Sequence, residues 1–322
     1  MIGPYILGKK LGAGSNGKVC VARNLMSGDS VAIKVISKQA AANDSAISYA
    51  VKKEVAVLKL MNHPNIVKFK SFYEDDNNFY VAMEYCEGTE LYKLLAGYGA
   101  LTEAQALPLF RQMLSAIYYC QMINVAHRDI KPENMVLTWD NKLKIVDFGL
   151  CSIAGKNIFM STLCGSPHYV APEILQSQEY DGRKADVYSL GVVLYVLVTA
   201  HSPFPDGKLS TTVAVMKEGQ FLKPWFSPEL TDLLSKMLEF DPGKRIKLRK
   251  IWEHPLVTKW APADRLPGRP ADIISGAVGI ADCDGPLLKE DDEVDAITMG
   301  NLIGLHPGMD ETHIYHQLRT EV

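Results

Sequence analysis

Between Tyr5 and Val35 short apolar runs alternate with Gly, Asn-Gly and Ser-Gly turns, a spacing that predicts a meander of antiparallel strands. The period then changes. From Ser45 to Met61 the apolar residues Ile47, Val51, Val55 and Leu58 recur three or four places apart, which predicts a helix carrying Glu54. Phe79 to Cys86 reads as a strand running into a linker. Thr102 to Gln121 predicts a second helix: Thr102 with Gln105 three places on makes a capping box, and Leu107, Phe110, Leu114 and Ile117 supply the apolar stripe. Met135-Val136-Leu137 and Leu143-Lys144-Ile145-Val146 predict two short strands joined by a turn at Asp140-Asn141. Val187 to Ala200 is the most apolar run. It contains Tyr188, Ser189 and Thr199 and is too short for a bilayer, so it predicts a buried helix and leaves no transmembrane segment.

A chain of 322 residues suits two folded units or one large bilobal one. Charge refines that picture. Residues 261–322 hold four Lys/Arg and twelve Asp/Glu; removing them from the whole-chain 34 and 37 leaves 30 and 25 for residues 1–260. The tail is acidic and the body only mildly basic, which argues against nucleic acid as a partner. The six cysteines form no CxxC pair and nothing at the N-terminus resembles a secretory signal, so reduced thiols in a cytoplasmic or nuclear setting are expected. Oligomeric state is not legible, and a monomer is the default.

Candidate chemistry concentrates in two places. Gly12, Gly14 and Gly17 form a GxGxxG loop followed by Val19, and glycines let backbone N–H groups approach phosphates. That motif alone suits a dinucleotide site equally well. Here, however, a second strand, Val31-Ala32-Ile33-Lys34, follows instead of a helix. The stretch from His127 to Gly149, HRDIKPENMVLTWDNKLKIVDFG, holds groups suited to phosphoryl transfer. Asp129 can accept a hydroxyl proton, Lys131 can lie against a γ-phosphate, and Asn134 and Asp147 offer oxygens of the hard type Mg²⁺ prefers.

These motifs, in this order, resemble the catalytic and metal-binding loops of eukaryotic protein kinases, and Lys131 two places after Asp129 resembles the serine/threonine branch. Gly165-Ser166-Pro167-His168-Tyr169-Val170-Ala171-Pro172-Glu173 is similar to the AMP-activated and microtubule-affinity-regulating kinases of the calcium/calmodulin-dependent-like group. The resemblance covers Tyr5 to about Trp260. It implies an α+β, bilobal protein kinase fold: a β-rich N-lobe over about 1–84 with one main helix, a hinge over about 84–90, and a mostly helical C-lobe over about 91–260. It implies ATP and Mg²⁺ as cofactors and Ser/Thr-containing protein substrates. ATP contacts would come from Leu11, Gly12, Gly14, Gly17, Val19, Ala32, Lys34, Met83, Glu84, Cys86, Val136 and Asp147. Glu54 would pair with Lys34, and Asn134 and Asp147 would bind metal. Asp129, Lys131 and Asn134 would be catalytic.

The resemblance carries regulation and substrate choice as well. Thr162 aligns with an activating threonine, phosphorylated by an upstream kinase, with Ser161 as an alternative acceptor and Ser166 expected beside Asp129 and Lys131. Arg128 would meet the new phosphate. Glu90 and Glu133 match positions that contact basic residues upstream of the acceptor, although two solvated carboxylates would look the same in sequence. Asp186 would hold the HRD backbone, Arg245 would pair with Glu173, and His63 reads as a structural turn residue. Beyond the kinase region, 261–293 reads as an acidic linker. Residues 294–322 either form a small ubiquitin-associated-like helical segment or remain unfolded. The rival from another class is a pseudokinase scaffold, disfavoured because none of the nine motif residues is missing; a small-molecule kinase is disfavoured by the Ala171-Pro172-Glu173 segment.

Overall fold

The computed structural model describes residues 2–14, 17–38, 45–153, 168–176, 179–204, 209–219, 223 and 225–259. Thr162, Ser161, Ser166 and the tail beyond 260 lie outside the described residues. The chain divides into two compact units between Glu87 and Gly88.

The first unit is an antiparallel sheet of β1 (Tyr5–Gly14), β2 (Gly17–Asn24), β3 (Ser30–Ser37), β4 (Phe69–Glu74) and β5 (Asn78–Glu84), in the order β1-β2-β3-β5-β4. Because side chains alternate along a strand, register decides which residues share a face. One face buries Tyr5, Ala22, Val31, Ile33, Val35, Tyr80 and Ala82 as a core. The opposite face therefore carries Val19, Ala32, Lys34, Val81 and Met83, joined by the pairs Val19↔Lys34, Lys34↔Val81 and Ala32↔Met83. The predicted helix runs Ser45–Leu60 and packs against β4 with Val51, Val55 and Leu58 buried. It stops one residue short of Met61, where the chain turns through His63, whose Nδ1 accepts the Asn65 N–H at 3.1 Å.

The second unit is built on two long helices. Glu103–Met122 starts at the expected capping box, with the Gln105 N–H donating to Thr102 Oγ1 and the Thr102 N–H donating to Gln105 Oε1. Gly182–Thr199 is capped by the Asp181 side chain and buried on every side along most of its length, which explains why its apolar residues show no stripe. It packs between Glu103–Met122 and Pro228–Met237. Among the described residues no helix is long and apolar enough to cross a membrane.

Two small sheets complete the unit. β6 (Gly88–Glu90), β8 (Met135–Thr138) and β9 (Leu143–Ile145) pair in the order β6-β8-β9, while β7 (Val125–Ala126) pairs with β10 (Ser152–Ile153). Gly88 is required here: a Cβ would stand 2.1 Å from the Leu137 carbonyl oxygen. β9 ends at Ile145 rather than Val146, yet the Val146 N–H still reaches back, donating to the Asn134 carbonyl at 3.0 Å.

Glu173 and Arg245 form a bidentate pair at 2.7 and 2.9 Å with both side chains almost fully buried. Arg245 also donates to the Glu239 and Lys184 carbonyls. Glu173→Gln would strand the guanidinium and is expected to cost about 3–5 kcal/mol in urea denaturation, while Glu173→Gln combined with Arg245→Met should recover part of that loss.

Candidate active site

In the first unit the glycine loop grows from the β1–β2 pairing. Gly12 opposes Val19 and Gly14 opposes Gly17, which closes the hairpin; Ser15 and Asn16 lie outside the described residues. At Gly17 a Cβ would meet the Val35 carbonyl oxygen at 2.2 Å, so only glycine lets β2 begin this close to β3. Among the described residues nothing stands within 4 Å of where a Cβ of Gly12 would be. Leu11 is half-buried just before it.

Lys34 and Glu54 meet at 2.7 Å with side-chain exposures of 5% and 3%. Glu54 is thus a buried partner of Lys34 and not a solvated residue on the outside of its helix. The Glu54 carboxylate compensates the buried ammonium, and Lys34 lies on the sheet face that carries Val19, Ala32 and Met83. Met83 is buried at the end of β5. The Glu84 N–H is spent on the Lys68 carbonyl at 2.8 Å, and its carboxylate accepts the Lys68 N–H at 3.1 Å. Its carbonyl faces the Cys86 thiol at 4.0 Å.

In the second unit one carboxylate organises the loop. Asp186, fully buried, accepts the N–H groups of His127 and Arg128, each at 2.8 Å. Burial pushes its carboxyl up to about 7 even though the two backbone donors partly offset that rise. This clamp holds Arg128 in the left-handed region at φ 67°, which a side chain larger than glycine's adopts at a cost. The Arg128 guanidinium donates to the Leu150 carbonyl at 2.7 Å and the Tyr180 hydroxyl at 3.3 Å.

Asp129 follows immediately. Its N–H donates to His127 Nδ1 at 3.2 Å, its carboxylate lies 2.8 Å from Lys131 Nζ, and Asn134 Nδ2 donates to both its carbonyl and its Oδ2 at 2.9 Å. The three predicted catalytic groups thus share one constellation. Since both Asn134 amide donor bonds go to Asp129 oxygens, its Oδ1 is the atom turned outward. The Val146 N–H bond to the Asn134 carbonyl brings Asp147 alongside, and Asp147 Oδ1 accepts the Gly149 N–H at 3.0 Å. Among the described residues no group of three His, Cys, Asp or Glu gathers as a metal cage. An amide oxygen and one carboxylate suit Mg²⁺, which keeps waters and phosphate oxygens as its other ligands. Val136 lies half-buried on β8, opposite Glu90 and Lys144.

Sequence reasoning gave no role to two residues of this site. Tyr180, buried, supports Arg128 from outside every motif. His127 is buried under Phe148, ring centroids 4.8 Å apart, and burial lowers its pKa to about 4. Only the spacing HRD hinted at it, since burial is not readable locally.

The protein kinase domain profile matches residues 5–257. A probable serine/threonine-protein kinase of Dictyostelium discoideum is 41% identical over 255 residues, covering 79% of this chain and 31% of that protein. The serine/threonine-protein kinase GIN4 of Saccharomyces cerevisiae is 37% identical over 336 aligned positions, 99% of this chain and 29% of its own length. The probable serine/threonine-protein kinase KCC4 of the same yeast is 40% identical over 271, covering 80% and 26%. The chain therefore spans less than a third of the length of these curated relatives.

Neutral, buried His127 makes stability pH-dependent. With the folded pKa near 4 against 6.5 in the unfolded chain, its contribution is present above pH 6.5 and lost as pH falls toward 4. Urea denaturation at pH 7 and pH 4.5 should differ by about 2 kcal/mol more for the wild type than for His127→Phe, which has no proton to gain.

Proposed function

Because the chain belongs to the protein kinase family, we propose that it is an ATP- and Mg²⁺-dependent protein serine/threonine kinase, transferring the γ-phosphoryl of ATP to Ser or Thr of protein substrates. The observation that carries this reading is the Asp129–Lys131–Asn134 constellation, in which one carboxylate is held by an ammonium and an amide at 2.8 and 2.9 Å. Asp129 orients the substrate hydroxyl and accepts its proton as the oxygen attacks. Lys131, beside it, lies against the γ-phosphate and offsets charge on the transferred group.

Asn134 and Asp147 would hold Mg²⁺, which when bound would offset charge developing on the transferred phosphoryl group. Lys34, fixed by Glu54, holds the α- and β-phosphates, and the glycine loop of Gly12, Gly14 and Gly17 covers them. In the first unit Leu11, Val19, Ala32 and Met83 are assigned to the adenine, and the family resemblance assigns Val136 to it as well. With its N–H committed to Lys68, Glu84 offers adenine its carbonyl, and Cys86 offers its backbone N–H.

The same reading assigns activation to Thr162 phosphorylated by an upstream kinase, with Arg128 as the phosphate's partner, which makes the chain a phosphoprotein. Substrates carry basic residues upstream of the acceptor, met by Glu90 and Glu133. The kinase domain occupies 1–260, 261–293 is an acidic linker, and 294–322 is a small regulatory segment. The enzyme works in the cytoplasm or nucleus, consistent with six cysteines lacking any CxxC pair.

Phosphate incorporation from ATP into a basic peptide should fall by about 10²–10⁴-fold in Asp129→Asn and by at least as much in Asp147→Ala. No incorporation by the wild type under any activation condition would overturn the assignment in favour of a scaffold. Thr162→Ala should abolish stimulation by an upstream kinase; full activity in that variant would refute the switch.

A further inference from the structure

The two carboxylates assigned to a basic substrate residue are not equivalent. Glu90, the last residue of β6, precedes the Leu91–Tyr98 helix without capping it. Its carboxylate is instead taken by Lys93 Nζ at 2.7 Å, one helical turn on. Glu133 sits on the 3-10 turn Pro132–Asn134, which packs against both β6 and that helix. It is exposed, and no cation pairs with it among the described residues. Two phenols share its surroundings. Burial first, then the charge of Glu133 and Tyr92, push the Tyr169 hydroxyl up, so Tyr169 lies within electrostatic reach of each. Tyr92 is 51% exposed. An exposed, uncompensated carboxylate suits a guanidinium, which meets it with charge-assisted hydrogen bonds.

We propose that Lys93 is a resident cation in this subsite, occupying Glu90 and leaving Glu133 as the principal receiver of a substrate arginine. Selection for a basic residue is accordingly weaker than two unpaired carboxylates would give. Lys93 is thus a specificity-determining residue that acts against the preference. The inference rests on the assignment of Glu90 and Glu133 to substrate. An exposed ion pair of this kind is worth a few-fold at most, so releasing it should change discrimination by about three- to fivefold.

The test is binding of two fluorescein-labelled peptides, identical except for Arg or Ala upstream of the acceptor Ser, to the full chain by anisotropy. Lys93→Met is expected to raise the Arg-over-Ala affinity ratio about three- to fivefold at low salt, with the gain shrinking in 0.5 M NaCl. Glu133→Gln should lower the ratio in either background. Glu90→Gln should lower it clearly in the Lys93→Met background and little in the wild type, a coupling that a purely structural role for Lys93 would not produce. An unchanged ratio in Lys93→Met, or an equal effect of Glu90→Gln in both backgrounds, would overturn the proposal. Binding is read without phosphoryl transfer, so failure of the kinase assignment and failure of the Lys93 assignment are separately visible.

Discussion

One buried carboxylate carries the active-site loop. Asp186 sits inside the Gly182–Thr199 helix, the most thoroughly buried element of its unit, and spends both oxygens on the backbone of His127 and Arg128. Two charge-assisted bonds from a rigid helix hold Arg128 at a positive φ that the chain would otherwise avoid. From that turn everything downstream takes its place. Asp129 is aimed outward, its N–H rests on His127 Nδ1, and its carboxylate is close enough for Lys131 and Asn134 to share.

The surrounding scaffold shows why this arrangement is rigid rather than incidental. β8 and β9 form a hairpin whose register places Asn134 at one mouth and Val146 at the other, and the backbone bond between them holds Asn134 beside the residue that precedes Asp147. β7 pairs with β10, tying the strand before the HRD turn to the strand that follows the DFG turn. His127 and Phe148 pack between those turns with their rings tilted at 59°. The loops carrying Asp129 and Asp147 are thus held by backbone and apolar contacts in addition to the Lys131 ammonium beside Asp129.

The first unit solves a different problem by a similar principle. A buried lysine needs a compensating anion, and here Lys34 is fixed by Glu54 from a helix that the sheet itself packs in place. Register does the sorting: the rows Val19–Lys34–Val81 and Ala32–Met83 face one way, while Tyr5, Ile33 and Ala82 form the core on the other. Slipping one strand by a residue would exchange the two faces.

What was legible in the sequence was local. The Thr102–Gln105 capping box, the Asp140-Asn141 turn, the alternating strands and the helix carrying Glu54 are encoded within a few residues of one another, because capping, turn chemistry and periodicity are short-range effects. The motif residues were likewise visible by type and spacing. Long-range contacts decided the rest. Nothing near Tyr180 announces that its hydroxyl supports an arginine 52 residues earlier, and nothing near His127 announces that it is buried and uncharged. Glu90 and Glu133 look alike as letters, yet one is occupied by a lysine a turn away and the other is not. Partnership and desolvation depend on which distant segments pack together, and that is decided only when the chain has folded.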